Sequence, residues 1–436
     1  MPSLLTNSMW MFGYRALRLG SGFILGAWLA RHLGPEDFGI LGYSIALVAM
    51  INTIAGMGIW DIVVSKVVQE PSKTNSILGA ALCIHLTSGL IGYAFLLFIV
   101  FKVHSDNELI ILVASTLGLT IVLSAHQVIK MWLEASHRIR HTAWVDCCSY
   151  LLIIGPRLYL LIFEYPVVNF AWLLTIESLI ATLVYGVILA RTSLGKALQF
   201  KFHVVKEILK ESWPLLGAAL SIVIYMKIDL VMLGNMSSSS EVGYYAVAAK
   251  ISEIFFLVPT IISAVWLPSL AKLKSNDAIL NAAIQKILDY FIVLSLFISF
   301  VVSVFSIFLI DSIFGADFSK SSEMLAIHIW SCPLVFIGIV GGKWYVLKGL
   351  QTITLFRTCV AAVVNVFLNF LLIPDYGGVG AAVATLIAHL LADYLLDVCN
   401  KNSRALFRMK TKCLLGVNIL SFLWSRILAG KTLSNS

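Results

Sequence analysis

ARHLGPEDFGILGY, residues 30–43, is repeated in outline by VMLGNMSSSSEVGYYAVAAK, residues 231–250. Each runs Leu-Gly, a short polar turn, an acidic residue, an apolar residue and Gly, with a tyrosine at the head of the next apolar run. Leu33-Gly34 with Phe38-Gly39 corresponds to Leu233-Gly234 with Val242-Gly243. A tight reversal between two apolar helices must satisfy its loose backbone groups. Glycine permits positive φ there, and Pro35 presets the start of the following helix. The pattern predicts architecture: two related halves, each opening on the same kind of helical hairpin.

The rest of the chain fits that frame. It is 59% hydrophobic and only 12% charged, with a mean hydropathy of +0.93. A soluble protein carries about a quarter charged residues, so this composition predicts an all-α polytopic membrane protein. The formal charge of +8 does not indicate nucleic acid, because no Lys/Arg stripe lies on a soluble module. The seven cysteines form no C-x-x-C pair and mostly fall in apolar runs, which argues against a disulfide framework or a metal site. The first apolar run has no A-x-A-type exit, so no cleavable signal peptide is expected.

A spanning helix needs about 20 mostly apolar residues. Twelve segments qualify: 10–31, 38–60, 76–101, 108–129, 142–163, 167–190, 213–235, 242–263, 287–310, 324–347, 354–373 and 377–397. The shorter run 413–430 reads as an interfacial helix, and the basic loop 191–212 as an amphipathic helix lying on the membrane surface. With the N-terminus inside, the loops on the cytoplasmic side and the tail hold 23 Lys and Arg, against three on the other face. This asymmetry places both termini in the cytoplasm. The expected organisation is a six-helix bundle over 1–200, a second over 201–400, and a cytoplasmic tail over 401–436. A parallel repeat of this kind predicts two bundles around a central cavity.

The sequence resembles the Wzx-type polysaccharide flippases of the multidrug/oligosaccharidyl-lipid/polysaccharide exporter superfamily. The resemblance rests on the two stretches above, on LAIHIW (325–330), on GGKWYVLKGL (341–350), and most on FRTCVAAVVNVFLNFLLIPDYGGVGAAVATLIA (356–388). In the last block Asn365, Asn369, Pro374, Tyr376, Gly377, Gly380, Ala381 and Ala382 fall where that family's pattern puts them. The resemblance implies transfer of undecaprenyl-diphosphate-linked oligosaccharide repeat units, of O-antigen or capsule type, from the inner to the outer leaflet of the bacterial cytoplasmic membrane. It implies no cofactor, and as partners the polyprenyl-diphosphate-linked glycan, membrane lipids and other polysaccharide assembly proteins. One departure is Lys227, where the family often has Arg; lysine keeps the charge but loses the planar fork suited to phosphate.

Charges inside the apolar runs are the candidate site. A cation at the bilayer centre costs about 2.5–3.5 kcal/mol on insertion scales. Arg15 and Arg18 are three apart and share a helix face; phosphate contact and interfacial snorkelling both account for them. In YMKIDLVMLG (225–234), Lys227 and Asp229 are two apart, about 200° around a helix, and cannot pair within it. Lys250 and Glu253 can pair with each other, or Lys250 can reach Asp229. Arg157 follows Gly155-Pro156, a kink signal. The expected substrate-binding residues are thus Arg15, Arg18, Arg157, Lys227 and Lys250. Glu177, alone in its apolar run, and Asp229 are the expected ion-coupling residues. His85, His126, His328 and His389 read as helix–helix hydrogen bonders, and Gly22/Gly26 and Gly338/Gly342 as packing pairs.

No H-E-x-x-H, P-loop or G-x-S-x-G motif is present, and the loops are short for a catalytic domain. An enzyme is therefore not expected, and neither catalytic nor metal-binding residues are assigned. A cation-coupled multidrug exporter on the same fold is the alternative. A membrane glycosyltransferase or polymerase stands behind it.

Overall fold

The computed structural model describes residues 2–192 and 198–416, except for the side chains of residues 2–17, 19, 139, 264, 265 and 268. The described elements are α-helices and short 3-10 turns, with no strand among them. In order the helices are α1 (Pro2–Ala55), α2 (Trp60–Gln69), α3 (Thr74–Val103), α4 (Glu108–Leu123), α5 (Gln127–Ala135), α6 (Ile139–Ile162) and α7 (Val167–Ala190). There follow α8 (Phe202–Met236), α9 (Ser239–Ala271), α10 (Asp277–Val304), α11 (Ser306–Phe314), α12 (Ser321–His328), α13 (Ser331–Lys348), α14 (Gln351–Asp393) and α15 (Arg404–Leu414).

Ten segments among the described residues are long and apolar enough to cross a membrane. Two are double-length, Gly20–Gln69 with 50 residues and Gln351–Val398 with 48. Each holds two crossings of about 20 residues, so the twelve-helix reading stands. The breaks lie at glycines. In α1, Gly34 adopts φ 70°, ψ 176°, directly before Pro35. In α14, Gly377 adopts φ 53°, ψ −132°, three residues after Pro374. Side chains rarely tolerate either conformation.

The chain separates into two compact units, residues 1–243 and 244–436. In the first, the two hairpin motifs pack on each other. A Cβ on Gly39 would overlap the Ser239 carbonyl oxygen and lie 2.8 Å from Gly243 N. A Cβ on Gly243 would overlap the Pro35 carbonyl oxygen and lie 2.9 Å from its carbon. Gly234 likewise gives room to the Tyr43 ring, whose hydroxyl is 2.8 Å from His104 Nε2. Gly234 on the Tyr43 ring, with the Tyr43 hydroxyl 3.4 Å from Asn235 Oδ1, packs α8 on α1 within the first unit. The sequence counts helices and puts that helix at the head of a second half, whereas packing follows contact.

The basic loop also differs from its reading. Residues 202–212 run unbroken into the seventh crossing as one 35-residue helix, α8. Val204 and Ile208 are buried with Val63, Ile77 and Met131 in the core of this unit, Ser212 is buried too, and Lys66 of α2 pairs with Glu207 and Glu211. The segment's apolar face has found its partner within the protein.

In the second unit, the amides of the 356–388 block form a buried ladder. Asn369 Nδ2 donates to Asn365 Oδ1 at 3.2 Å, and Tyr245 and Thr385 hydroxyls meet at 3.2 Å beside it. Gly380 allows the Leu372 carbonyl to lie against it, closing the α14 hairpin. Below lies a charged core. Lys410 of α15 is wholly buried and donates to Asp397 Oδ2 (2.8 Å) and the Asp393 carbonyl (2.6 Å). Arg357 reaches Asp397 at 3.1 Å, Tyr345 donates to it at 2.7 Å, and His389 meets Asp393 at 2.9 Å. Such a cluster offsets its desolvation only when each member is hydrogen-bonded, as here. Arg357, within the apolar run 354–373, is buried. The tail begins with a docked helix, α15, and of run 413–430 residues 417 onward lie outside the described residues. One expectation changes. Gly341, not Gly342, shares the small-residue face with Gly338: a Cβ at 341 would meet Lys410 Nζ, one at 338 the Asp393 carboxylate, and one at 342 nothing.

Candidate functional site

The site assembles in the first unit from three crossings. Arg18 stands on the first arm of α1, Arg157 on α6 one residue past Pro156, and Glu177 near the middle of the 24-residue α7. These helices pack together because their apolar faces meet in a shared cluster of Leu25, Ile153, Leu161 and Phe170. Arg18 donates to Glu177 Oε1 at 3.2 Å, and Arg157 approaches Oε2 at 3.8 Å. The Arg18 guanidinium lies 5.5 Å from the centre of the Tyr150 ring, and the Tyr150 and Ser21 hydroxyls are 2.9 Å apart. Gly22 borders the Tyr150 hydroxyl on this face of α1, its would-be Cβ at ordinary contact distance, 3.9 Å.

Two guanidinium groups thus surround one carboxylate, leaving one excess positive charge beside two hydroxyls. Arg157 and Glu177 are largely enclosed, while the Arg18 side chain is 51% exposed. The arrangement presents an accessible planar fork backed by a second cation, the geometry that recognises phosphate or carboxylate oxygens.

Of the residues expected from sequence, the structure brings together Arg18, Arg157 and Glu177. Glu177 is not isolated in space, because both arginines converge on it. The Arg15 side chain lies outside the described residues. On α8, Asp229 is buried and Lys227 partly exposed, so the 200° separation does set them on different faces. Both interact with their surroundings. Lys250 and Glu253 belong to the second unit, half-buried on α9. Sequence reasoning missed Tyr150 and Ser21, which carry no charge to draw notice. The i, i+3 spacing of Arg18 and Ser21 is the one signal that places both on a face. Trp344 is a packing residue, buried and donating to Asn281 Oδ1 at 3.0 Å.

A twelve-crossing helical chain of two units, with an arginine-rich polar cluster among the helices of the first, is a membrane protein of the transporter type. Residues 4–274 match the family model described as "Polysaccharide biosynthesis protein", which is more than half of the chain, and the chain belongs to that family. It is 23% identical to the "Probable low-salt glycan biosynthesis flippase Agl15" of Haloferax volcanii, over 98% of this chain and 94% of that protein. It is 21% identical to the "Capsular polysaccharide biosynthesis protein CapF" of Staphylococcus aureus, over 89% and 97% respectively. Among solved structures, an inward-facing multidrug resistance MATE family transporter superposes with a TM-score of 0.72 at 14% identity, covering 90% of this chain and 95% of the other. The lipid II flippase MurJ in an inward closed conformation gives 0.69 at 15%, covering 96% and 93%. The structural likenesses establish the fold.

Proposed function

We propose that this protein flips lipid-linked glycan, carrying undecaprenyl-diphosphate-linked oligosaccharide repeat units from the cytoplasmic to the outer leaflet by alternating access. The observation that carries the reading is the Arg18–Glu177–Arg157 cluster. A diphosphate brings more negative charge than the single Glu177 carboxylate and can displace it from the arginines. Glu177 then acts as a placeholder: it keeps the cations paired between cycles and is exchanged for substrate on loading. Tyr150 and Ser21 offer hydroxyls to phosphate or sugar. Arg15, Lys227 and Lys250 are further substrate contacts in this proposal, and Asp229 a second coupling residue. Glycan-flippase and capsular relatives aligned over nearly the whole chain support the substrate class. A multi-pass location in the cytoplasmic membrane with both termini inside follows from the basic-residue asymmetry. Other polysaccharide assembly proteins would supply the substrate and consume the product. The chain is a transporter in this reading and not an enzyme.

The MATE-type neighbour favours a second reading, a cation-coupled multidrug exporter. Surface glycan in flippase-null cells separates the two. Wild type restores it; Arg157→Ala and Arg18→Ala abolish it at normal membrane levels; the Lys variants restore it weakly, since they keep charge without the fork. Full surface glycan from the double Ala variant would sink the proposal. Glu177→Gln weakens any pH-gradient dependence of transport in proteoliposomes if Glu177 also couples; unchanged dependence clears it of that role.

A further inference from the structure

The fourth crossing is not one helix. Between α4 and α5 a single 3-10 turn intervenes, Ser124–His126. Such a turn within a helix marks a hinge or a strained sequence. His126 closes it. Its Nδ1 lies 2.8 Å from the Leu123 carbonyl oxygen and 3.1 Å from Thr182 Oγ1. A carbonyl only accepts, so Nδ1 carries the hydrogen and Nε2 keeps the lone pair. His85 of α3 is its electrostatic neighbour. That ring is 1% exposed, and among the described residues neither of its nitrogens has a hydrogen-bond partner.

Packing alone does not explain His85. A buried polar group without a partner costs about 1–3 kcal/mol, a cost that an apolar side chain in its place would not carry. Among the described residues, three helices bring charged or titratable groups to His126. From α5 comes Lys130, from α6 Asp146, and from α7 Tyr185. Lys130 and Asp146 pair at 2.9 Å, and the Tyr185 hydroxyl donates to Asp146 Oδ1 at 2.9 Å. The Tyr185 ring stacks on His126 with centroids 5.4 Å apart and planes 3° from parallel, and the Lys130 ammonium lies 5.3 Å from the Tyr185 ring centre. Farther out, Trp60 of α2 donates to Glu134 of α5, and Lys66 of α2 pairs with Glu207 and Glu211 of α8.

We propose that His85 and His126 form a proton-binding site that works this hinge. A proton delivered by water adds to the His126 Nε2 lone pair, or to that of His85, and returns to water when the site empties; no covalent bond in the protein breaks. In the packed state the new imidazolium meets Lys130 of like charge, and Asp146, the carboxylate acting on His126, is already held by Lys130 and Tyr185. A conformation that frees Asp146 toward the ring, or lets water in, binds the proton more tightly. Occupancy and opening of the Ser124–His126 turn are then linked, each favouring the other. Where the protein works as a transporter, as proposed above, this linkage supplies a route for pH to bias its conformational cycle.

The test uses full-length protein in lipid nanodiscs and needs no substrate. Hydrogen–deuterium exchange over residues 120–131 is compared near pH 5.5 and pH 7.5, corrected for intrinsic exchange. Wild type shows faster exchange there at the lower pH. His85→Leu and His126→Gln lose that difference, and His85→Leu melts at or above the wild-type temperature because it removes an unpartnered polar group. No pH-dependent difference in wild type, or its persistence in His85→Leu, overturns the proposal. If His126→Gln fails to fold, His85→Leu decides alone. Surface-glycan complementation by wild type tests the transport reading separately: export without a titrating hinge removes this site, and a titrating hinge without export removes the transport reading.

Discussion

Gly39→Ala is the sharpest perturbation the structure offers. Gly39 Cα faces the backbone of the second hairpin motif, and an added methyl would lie on the Ser239 carbonyl oxygen and 2.8 Å from Gly243 N. Ordinary contact for a Cβ begins at 3.4 Å, and the obstacles are main-chain atoms, which cannot swing aside as a side chain does. The two segments must part by well over 1 Å, which forfeits at least about half of each dispersion contact along the seam. Overpacking of this kind costs about 1–3 kcal/mol, and a rigid obstacle puts Gly39 at the upper end. For a unit of 243 residues that is a fall of about 5–10 °C in melting temperature. Gly243→Ala meets Pro35 in the same way and falls equally. Because both changes strain one seam, the double variant falls by less than the sum. Gly186→Ala in α7 is the control: nothing lies within 4 Å of its Cβ, and replacing a helix-interior glycine gains about 1 kcal/mol. Melting of detergent-solubilised fusions by fluorescence size-exclusion chromatography reads all four. A Gly39→Ala protein as stable as Gly186→Ala would refute the close approach of the two motifs.

Three further outcomes are expected. Lys227→Ala abolishes surface polysaccharide while inserting at the normal level; wild-type polysaccharide in that variant removes Lys227 from the site. Gly377→Ala, at φ 53° and ψ −132°, strains the α14 hairpin by about 1–3 kcal/mol and lowers folded yield, measured as the monodisperse fraction; an unchanged fraction contradicts the kink. Burial pushes the Lys410 ammonium down to about 8, against the pull of Asp397. A base with a folded pKa below its unfolded value penalises folding while charged, so docking of α15 strengthens as pH rises from about 8 to about 10.5 and is flat below. Labelling of the buried Cys413, normalised to a free 404–416 peptide, slows over that window; acceleration would contradict the sign.

The crossings and the two hairpin breaks at Gly34 and Gly377 were legible because hydrophobic length and the Gly-Pro chemistry of turns are local properties, whereas the Ser124–His126 turn carries no such signal. Gly34 and Gly377 behave as their flanking prolines suggest. Adjacency is not local. That α1, α6 and α7 meet, and so bring Arg18 and Arg157 onto Glu177, is decided by which apolar faces pack. The same limit hid Arg357 and Lys410. Near helix ends their charges look solvated, and only tertiary contact with Asp393 and Asp397 internalises them. His85 marks a different limit. Its sequence position fits a hydrogen-bonding helix residue, and its lack of partners is a property of the assembled core alone.

The seam between the hairpin motifs has one more implication. Gly39 meets Ser239, and Gly243 meets Pro35, and the two pairs correspond under a shift of 204 positions. A contact in which a surface meets its own counterpart is isologous, the form taken by interfaces between identical subunits about a two-fold axis. The chain therefore carries inside it the kind of joint by which two copies of a shorter ancestor would dimerise. A change on one side of that joint is answered by its mirror position as much as by its neighbours in sequence.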